Sequence, residues 1–223
     1  NGCELPVVIN SGSGNQGMTA SLPVIVYARE LGASDDALLR ALIVSNLVTI
    51  HLKTGIGSLS AYCGATSAGA GAGAGISYLY GGLYDVIAHP VVNALAINSG
   101  MLCDGAKDSC AAKIASAVEA GLLGMQMNRH DSQFYGGDGI VVKGVENTIR
   151  NVGRLARYGM AETDKEIKAD SFLLLDTGGQ YLEGTTDITR TVALGNITDE
   201  MKKHFTAVLK GNLAPDGGVV KRS

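Results

Sequence analysis

Residues 68–75 alternate strictly between alanine and glycine. A run so small in volume and so low in complexity has three outcomes: a silk-like strand, a flexible linker, or a helix packed too tightly against its neighbours for larger side chains. Ordered-looking sequence on both sides, 63–67 and 76–80, argues against a linker. We read the run as a helix, against a propensity cost of about 1 kcal/mol for each glycine. Such a helix forms only if close packing between backbones recovers that cost. Thirty-one glycines and no tryptophan in 223 residues fit a core of that kind better than an aromatic one.

The fold class expected is mainly α. A short apolar run at 5–9 leads into the glycine-rich stretch 11–17, and residues 18–31 read as a helix, so the glycine-rich loop sits at a helix N-terminus. Ser34, Asp35 and Asp36 cap and charge the start of a second helix, with Leu38, Leu42, Ile43 and Leu47 on one face. Gly55 and Gly57 close it. Pro90 is placed in the first turn of a helix running to Ile97, and residues 110–127 show apolar residues at three- and four-residue spacing. A further helix is expected over 143–158. After that the pattern changes: 172–175 and 180–194 are β-type runs around a Gly178-Gly179 turn, and Thr198 caps a last helix to about Leu209.

Eighteen basic and 21 acidic side chains give a net charge of -3 with no basic run, which argues against nucleic acid as a partner. No apolar stretch of the roughly 20 residues that span a bilayer and no secretory leader are expected, which points to a cytoplasmic protein with no membrane partner. A start at Asn1, inside what reads as a structured element, points to a fragment.

Four cysteines carry the chemistry. Two disulfides are possible in an oxidising compartment, but the absence of a leader favours metal or redox use. Zinc sites usually include a pair two to four residues apart, and none exists here. Iron-sulfur clusters accept more dispersed thiolates. Cys110 opens one expected helix and Cys63 precedes another, where the helix dipole favours the thiolate. On spacing alone, buried structural cysteines are as good a reading, with Cys3 the clearest structural case.

The blocks 61–67 (AYCGATS), 100–107 (GMLCDGAK) and 109–113 (SCAAK), with 10–17 and 137–144, resemble the L-cysteine desulfidase family over about residues 1–166, and more distantly the iron-sulfur L-serine dehydratases. The resemblance implies a helical lyase domain in which Cys63, Cys103 and Cys110 hold a [4Fe-4S] cluster with one iron open. It implies β-elimination of L-cysteine to pyruvate, ammonia and sulfide, or of L-serine by the same chemistry, without pyridoxal phosphate. Its partners would be a small amino-acid substrate and either a second copy in a homodimer or a separate N-terminal lyase domain.

Other residues are candidates by position. Gly12, Gly14 and Gly17 match the dinucleotide pattern G-x-G-x-x-G, but no second parallel strand with an acidic end follows. We prefer Ser11, Gly12, Ser13, Gly14, Asn15 and Gln16 as a carboxylate site built from backbone N–H groups at a helix start, a mere tight turn being the alternative. Lys53 and His51, shortly before Cys63, are candidates for the base that takes the Cα proton. His89 and His130 read as loop residues.

The segments 174–181 (LLDTGGQY) and 184–191 (GTTDITRT) resemble a different family, the aminopeptidase P-type pita-bread metallopeptidases, over about 168–214. There the residues matching Asp176 and Asp187 bind a pair of divalent metals; the family's further His and Glu ligands find no match, so a metal in this tail is not expected. The domain reading is therefore a lyase-like fragment at 1–166, an incomplete metallopeptidase-like hairpin and helix at 167–214, and a disordered end at 215–223.

Overall fold

The computed structural model of the chain describes residues 6–57, 60–103, 108–160, 171–181 and 184–213. The chain divides into two compact units, Asn1–Asp164 with Gly178–Thr185, and Lys165–Thr177 with Thr186–Ser223. The mainly α class holds. The order is α1 (Gly14–Glu30), α2 (Asp35–Ile56), α3 (Gly64–Leu79), α4 (Tyr84–Ile97), α5 (Ser109–Arg129), α6 (Val145–Arg154) and a π-helical turn (Leu155–Gly159). Strands β1 (Ser171–Tyr181) and β2 (Gly184–Leu194) pair with each other, and α7 (Asp199–Leu213) follows.

The alanine-glycine run is the central helix, α3, and packs against α1, α2, α4 and α5. Residues 65–77 are all buried. The alternation has a geometric reason. Glycines four apart share a helix face, so 69 and 73 form one stripe and 71 and 75 another about 200° around the axis. The first stripe meets α5: a Cβ on Gly69 would overlap the Ala117 carbonyl oxygen, and one on Gly73 would lie 2.8 Å from that of Gly121. The second meets α2, where a Cβ on Gly71 would overlap Thr49 Oγ1 and one on Gly75 would lie 2.7 Å from the Ala41 oxygen. The intervening Ala70, Ala72 and Ala74 belong to the two main apolar clusters.

This packing corrects half of the face assigned to α2: Leu38 and Leu42 pack against the core as expected, but Ile43 and Leu47 do not. Ile43 and Leu47 are exposed at 57% and 59%, whereas Ala41, Ser45, Thr49, Leu52, Lys53 and Ile56 are buried. A neighbour made of glycine and alanine comes so close that only small side chains fit between. Ser45 Oγ then donates to Ala20 O at 2.6 Å and Thr49 Oγ1 to Ser45 O at 2.8 Å, so their burial leaves no hydroxyl unpaired. Helix α2 is also long and apolar enough to cross a membrane by length and composition, contrary to the expectation that no stretch reaches that length.

Other boundaries shift for local reasons. Ser34 caps α2 as expected, its Oγ accepting from Ala37 N at 3.3 Å. Helix α1 starts at Gly14 rather than Met18 and carries Pro23 inside it. Pro90 lies in the middle of α4, not in its first turn, and His89 is helical. The carbonyl that Pro90 cannot satisfy belongs to the outer, incompletely buried part of α4, where water can replace the lost bond. The last helix of the first unit is α-helical to Arg154 and widens into the π turn Leu155–Gly159, so helical backbone reaches the end expected near Tyr158. Strand β1 continues through Gly178 and Gly179 to Tyr181, so the chain does not turn there. Thr198 Oγ1 accepts from Met201 N at 3.2 Å at the start of α7. Residues 215–223 and Cys3 lie outside the described residues.

Candidate active site at three converging helix starts

The glycine-rich loop is a tight reversal. Asn10 and Ser13 exchange backbone hydrogen bonds at 3.2 and 3.1 Å around Ser11 and Gly12, both at positive φ (51° and 88°). Asn10 Nδ2 donates to Asn46 Oδ1 at 2.8 Å and anchors the turn to α2. The other two glycines serve packing: a Cβ on Gly14 would lie 2.8 Å from Val7 Cγ1, and one on Gly17 would overlap the Val8 carbonyl. The G-x-G-x-x-G spacing therefore lets the entering chain lie on α1.

Cys63 is the N-cap of α3 and Cys110 is the second residue of α5. Cys103 is placed by a short antiparallel bridge between Tyr62 and Leu102, in which Cys63 N donates to Met101 O at 3.0 Å and Cys103 N to Ala61 O at 2.6 Å. Lys113, one turn beyond Cys110, donates from Nζ to Leu102 O at 2.8 Å and so ties α5 to that bridge. Cys63, Cys103 and Cys110 are all thiols.

These parts surround one cavity of about 220 Å³. Ser13, Asn15 and Gln16 enter from the start of α1, Cys63, Gly64 and Ala65 from the start of α3, and Cys110 and Lys113 from the start of α5. Cys103 and Lys53 complete the wall. Three positive helix ends and two lysines make the space favourable for an anionic ligand. Within it, burial pushes the Cys63 thiol up; the Ala65 N–H and the Lys113 charge pull it down, while Cys103 and Cys110 push it further up. Burial holds the Lys53 ammonium below its usual range, opposed by the charges of Cys103 and Cys63. Tyr62 is pushed up to about 12, by burial first and by Cys63 second.

The cavity gathers the three cysteines, Lys53, Ser13, Asn15 and Gln16. It does not gather Ser11, Gly12 or Gly14, which make the turn and its packing. His51 is also elsewhere: it is exposed, its Nε2 lies 2.9 Å from Glu146 Oε2, and it lines a separate groove with Arg150 and Arg157. Two residues along a helix point about 200° apart, so a buried Lys53 places His51 on the outer face. Tyr62 and Lys113 belong to the site and were not singled out from sequence. Asp176 lies in β1 and Asp187 in β2, and their side chains are outside the described residues.

Among the described residues, no group of three or more His, Cys, Asp or Glu could hold a single metal ion. A four-iron cluster poses a different requirement, because its irons occupy separate corners and its thiolates must surround a space. Three thiols from separate segments around one cavity, beside two lysines, meet that requirement.

Residues 1–169 match the family described as Serine dehydratase alpha chain. The chain belongs to that family. The serine dehydratase alpha chain family is generally associated with iron-sulfur chemistry. Relatives include a UPF0597 protein of Desulfitobacterium hafniense, 68% identical over 166 residues, which are 74% of this chain and 39% of that protein. A UPF0597 protein of Treponema denticola is 54% identical over 166 residues, 74% of this chain and 38% of its own. One of Bacteroides thetaiotaomicron is 43% identical over 166 residues, with 74% and 39% covered. The chain thus spans about two fifths of the length of these family members. No solved structure matches it.

Proposed function

We propose that this serine dehydratase alpha chain region is the cluster-holding part of a lyase that eliminates sulfide from L-cysteine. The observation that supports this is the single cavity lined by three thiols, a buried lysine and the start of α1. Cys63, Cys103 and Cys110 would hold a [4Fe-4S] cluster. When bound, the cluster supplies an iron with an open position, a Lewis acid for a thiol that is otherwise a poor leaving group.

The chain's own residues do the rest. Backbone N–H groups at the start of α1, with Ser13 and Asn15, would bind the substrate carboxylate. Lys53 is 5% exposed, and burial keeps its amine closer to the neutral form that a base requires. Its Nζ takes the Cα proton while the Cβ–S bond breaks and sulfide leaves with the bonding pair. The aminoacrylate that results is hydrolysed to pyruvate and ammonia, with no need of pyridoxal phosphate.

The family's description favours a second reading, in which L-serine is the substrate and water the leaving group. The likeness of residues 168–214 to aminopeptidase P-type enzymes concerns that segment alone and supplies no group to this chemistry. The test is anaerobically reconstituted protein given L-cysteine, L-serine and D-cysteine, with sulfide and pyruvate followed together. Sulfide and pyruvate in equal amounts from L-cysteine support the first reading, and pyruvate from L-serine alone supports the second. No product from an iron-replete protein would rule out both for this chain.

A further inference from the structure

Among the described residues, the buried side-chain atoms without a hydrogen-bond partner are Gln16 Oε1, Tyr62 Oη, Thr66 Oγ1 and Ser67 Oγ. All four belong to the first turn of α3 or to residues beside it. Buried polar atoms are almost always satisfied, so an orphan calls for an explanation such as a water, an ion or a ligand that binds there. Gln16 and Tyr62 carry the point furthest, since both line the cavity and they are 6% and 0% exposed. The Gln16 carboxamide lies over Gly64, where a Cβ would come within 2.5 Å of Gln16 Cδ. Only glycine at 64 leaves room for it.

We propose that Gln16 and Tyr62 recognise the α-ammonium group of an amino-acid ligand, and so select amino acids over the corresponding acids that lack the amine. Gln16 Oε1 is an acceptor and Tyr62 Oη can accept as well as donate, and an ammonium group offers three donors. The carboxylate, on the same carbon as the ammonium group, is served by the neighbouring backbone N–H groups at the start of α1, the turn that also carries Gln16. This inference rests on the cavity being the site of an amino-acid substrate, as proposed above.

The test compares L-cysteine with 3-mercaptopropionate, the same molecule without its ammonium group, by calorimetric titration of the full 223-residue chain after anaerobic reconstitution. The wild-type chain is expected to prefer L-cysteine by roughly tenfold or more, the size of hydrogen bonds to a charged group. Gln16→Met and Tyr62→Phe should each remove most of that preference by weakening L-cysteine, with 3-mercaptopropionate affinity and iron content held. Gln16→Glu keeps an acceptor and should keep the preference, so it and Tyr62→Phe carry the test if Gln16→Met does not fold. An unchanged preference in iron-replete variants, or equal weakening of both ligands, overturns the ammonium assignment and leaves the cluster reading standing. A chain that takes up no iron and binds neither thiol overturns both.

Discussion

Cys63 and Cys103 lie diagonally across the Tyr62–Leu102 bridge and on the same face of it. In this antiparallel pairing Cys63 is opposite Met101 and Cys103 is opposite Ala61, and alternate residues of a strand share a face. Diagonal neighbours stand about 7–8 Å apart, beyond the roughly 4.4–6.8 Å between Cα atoms that a disulfide accepts. The bridge thus holds the two thiols on one side of a shared space. Cys110, from the start of α5, supplies the third.

Cluster uptake should therefore depend on three cysteines and not on the fourth. Cys63→Ala, Cys103→Ala and Cys110→Ala are each expected to lose the iron and sulfide bound after anaerobic reconstitution, while Cys3→Ala keeps them. Metal analysis with the visible absorption spectrum measures this. Equal loss in all four variants would refute the ligand assignment.

Lys53 and His51 make a sharp pair, because one is walled into the cavity and the other faces outward. Lys53→Met is expected to lower turnover by about a hundredfold or more, the usual share of general acid–base catalysis, without loss of iron. His51→Ala should leave turnover within about twofold of wild type, since surface changes of this kind are small. Steady-state rates on iron-replete protein decide it, and a larger effect at His51 would reverse the roles.

Close packing around α3 gives a stability prediction. Gly71→Ala would drive a methyl group into Thr49 and the Ser45 carbonyl, and overpacking of this kind costs about 1–3 kcal/mol. Gly81→Ala meets nothing within 4 Å and should change stability by less than about 1 kcal/mol. Thermal unfolding of the two variants compares them directly. Equal midpoints would mean that the α2–α3 contact relaxes at no cost.

Much of this was legible in the residues. The alanine-glycine run forced a close-packed helix, and Cys63 and Cys110 stand at helix starts as their sequence positions suggested. The buried face of α2 was harder to see, because hydrophobicity favours Ile43 and Leu47 as the core side. The better signal was Ala41, Ser45, Thr49 and Lys53 at four-residue spacing, a small stripe complementary to the glycines of α3. That stripe also separates Lys53 from His51. The Tyr62–Leu102 bridge joins segments 40 residues apart in the chain, and nothing local to either announces the pairing. Gln16 belongs to the glycine-rich loop already picked out by its sequence, whereas Tyr62 stands out only once its burial without a partner is known.

Lys113 offers a last prediction, about how the third cysteine is held in register with the other two. Its Nζ donates to Leu102 O at 2.8 Å, so a side chain on the helix of Cys110 grips the residue beside Cys103. The Leu102 carbonyl takes no part in the two backbone bonds of the bridge, which leaves it available as the handle. Removing the grip should loosen the segment that carries Cys103 and leave α3 and α5 intact. Lys113→Met is expected to speed amide exchange at Cys103 by roughly threefold to tenfold, the range for one partly exposed hydrogen bond. Lys113→Arg keeps a donor on a long side chain and should restore part of the protection. Residue-resolved hydrogen exchange on the apo protein reads the effect without reference to iron or turnover. Unchanged exchange at Cys103 in Lys113→Met would show that the Ala61 and Met101 carbonyls hold the bridge unaided.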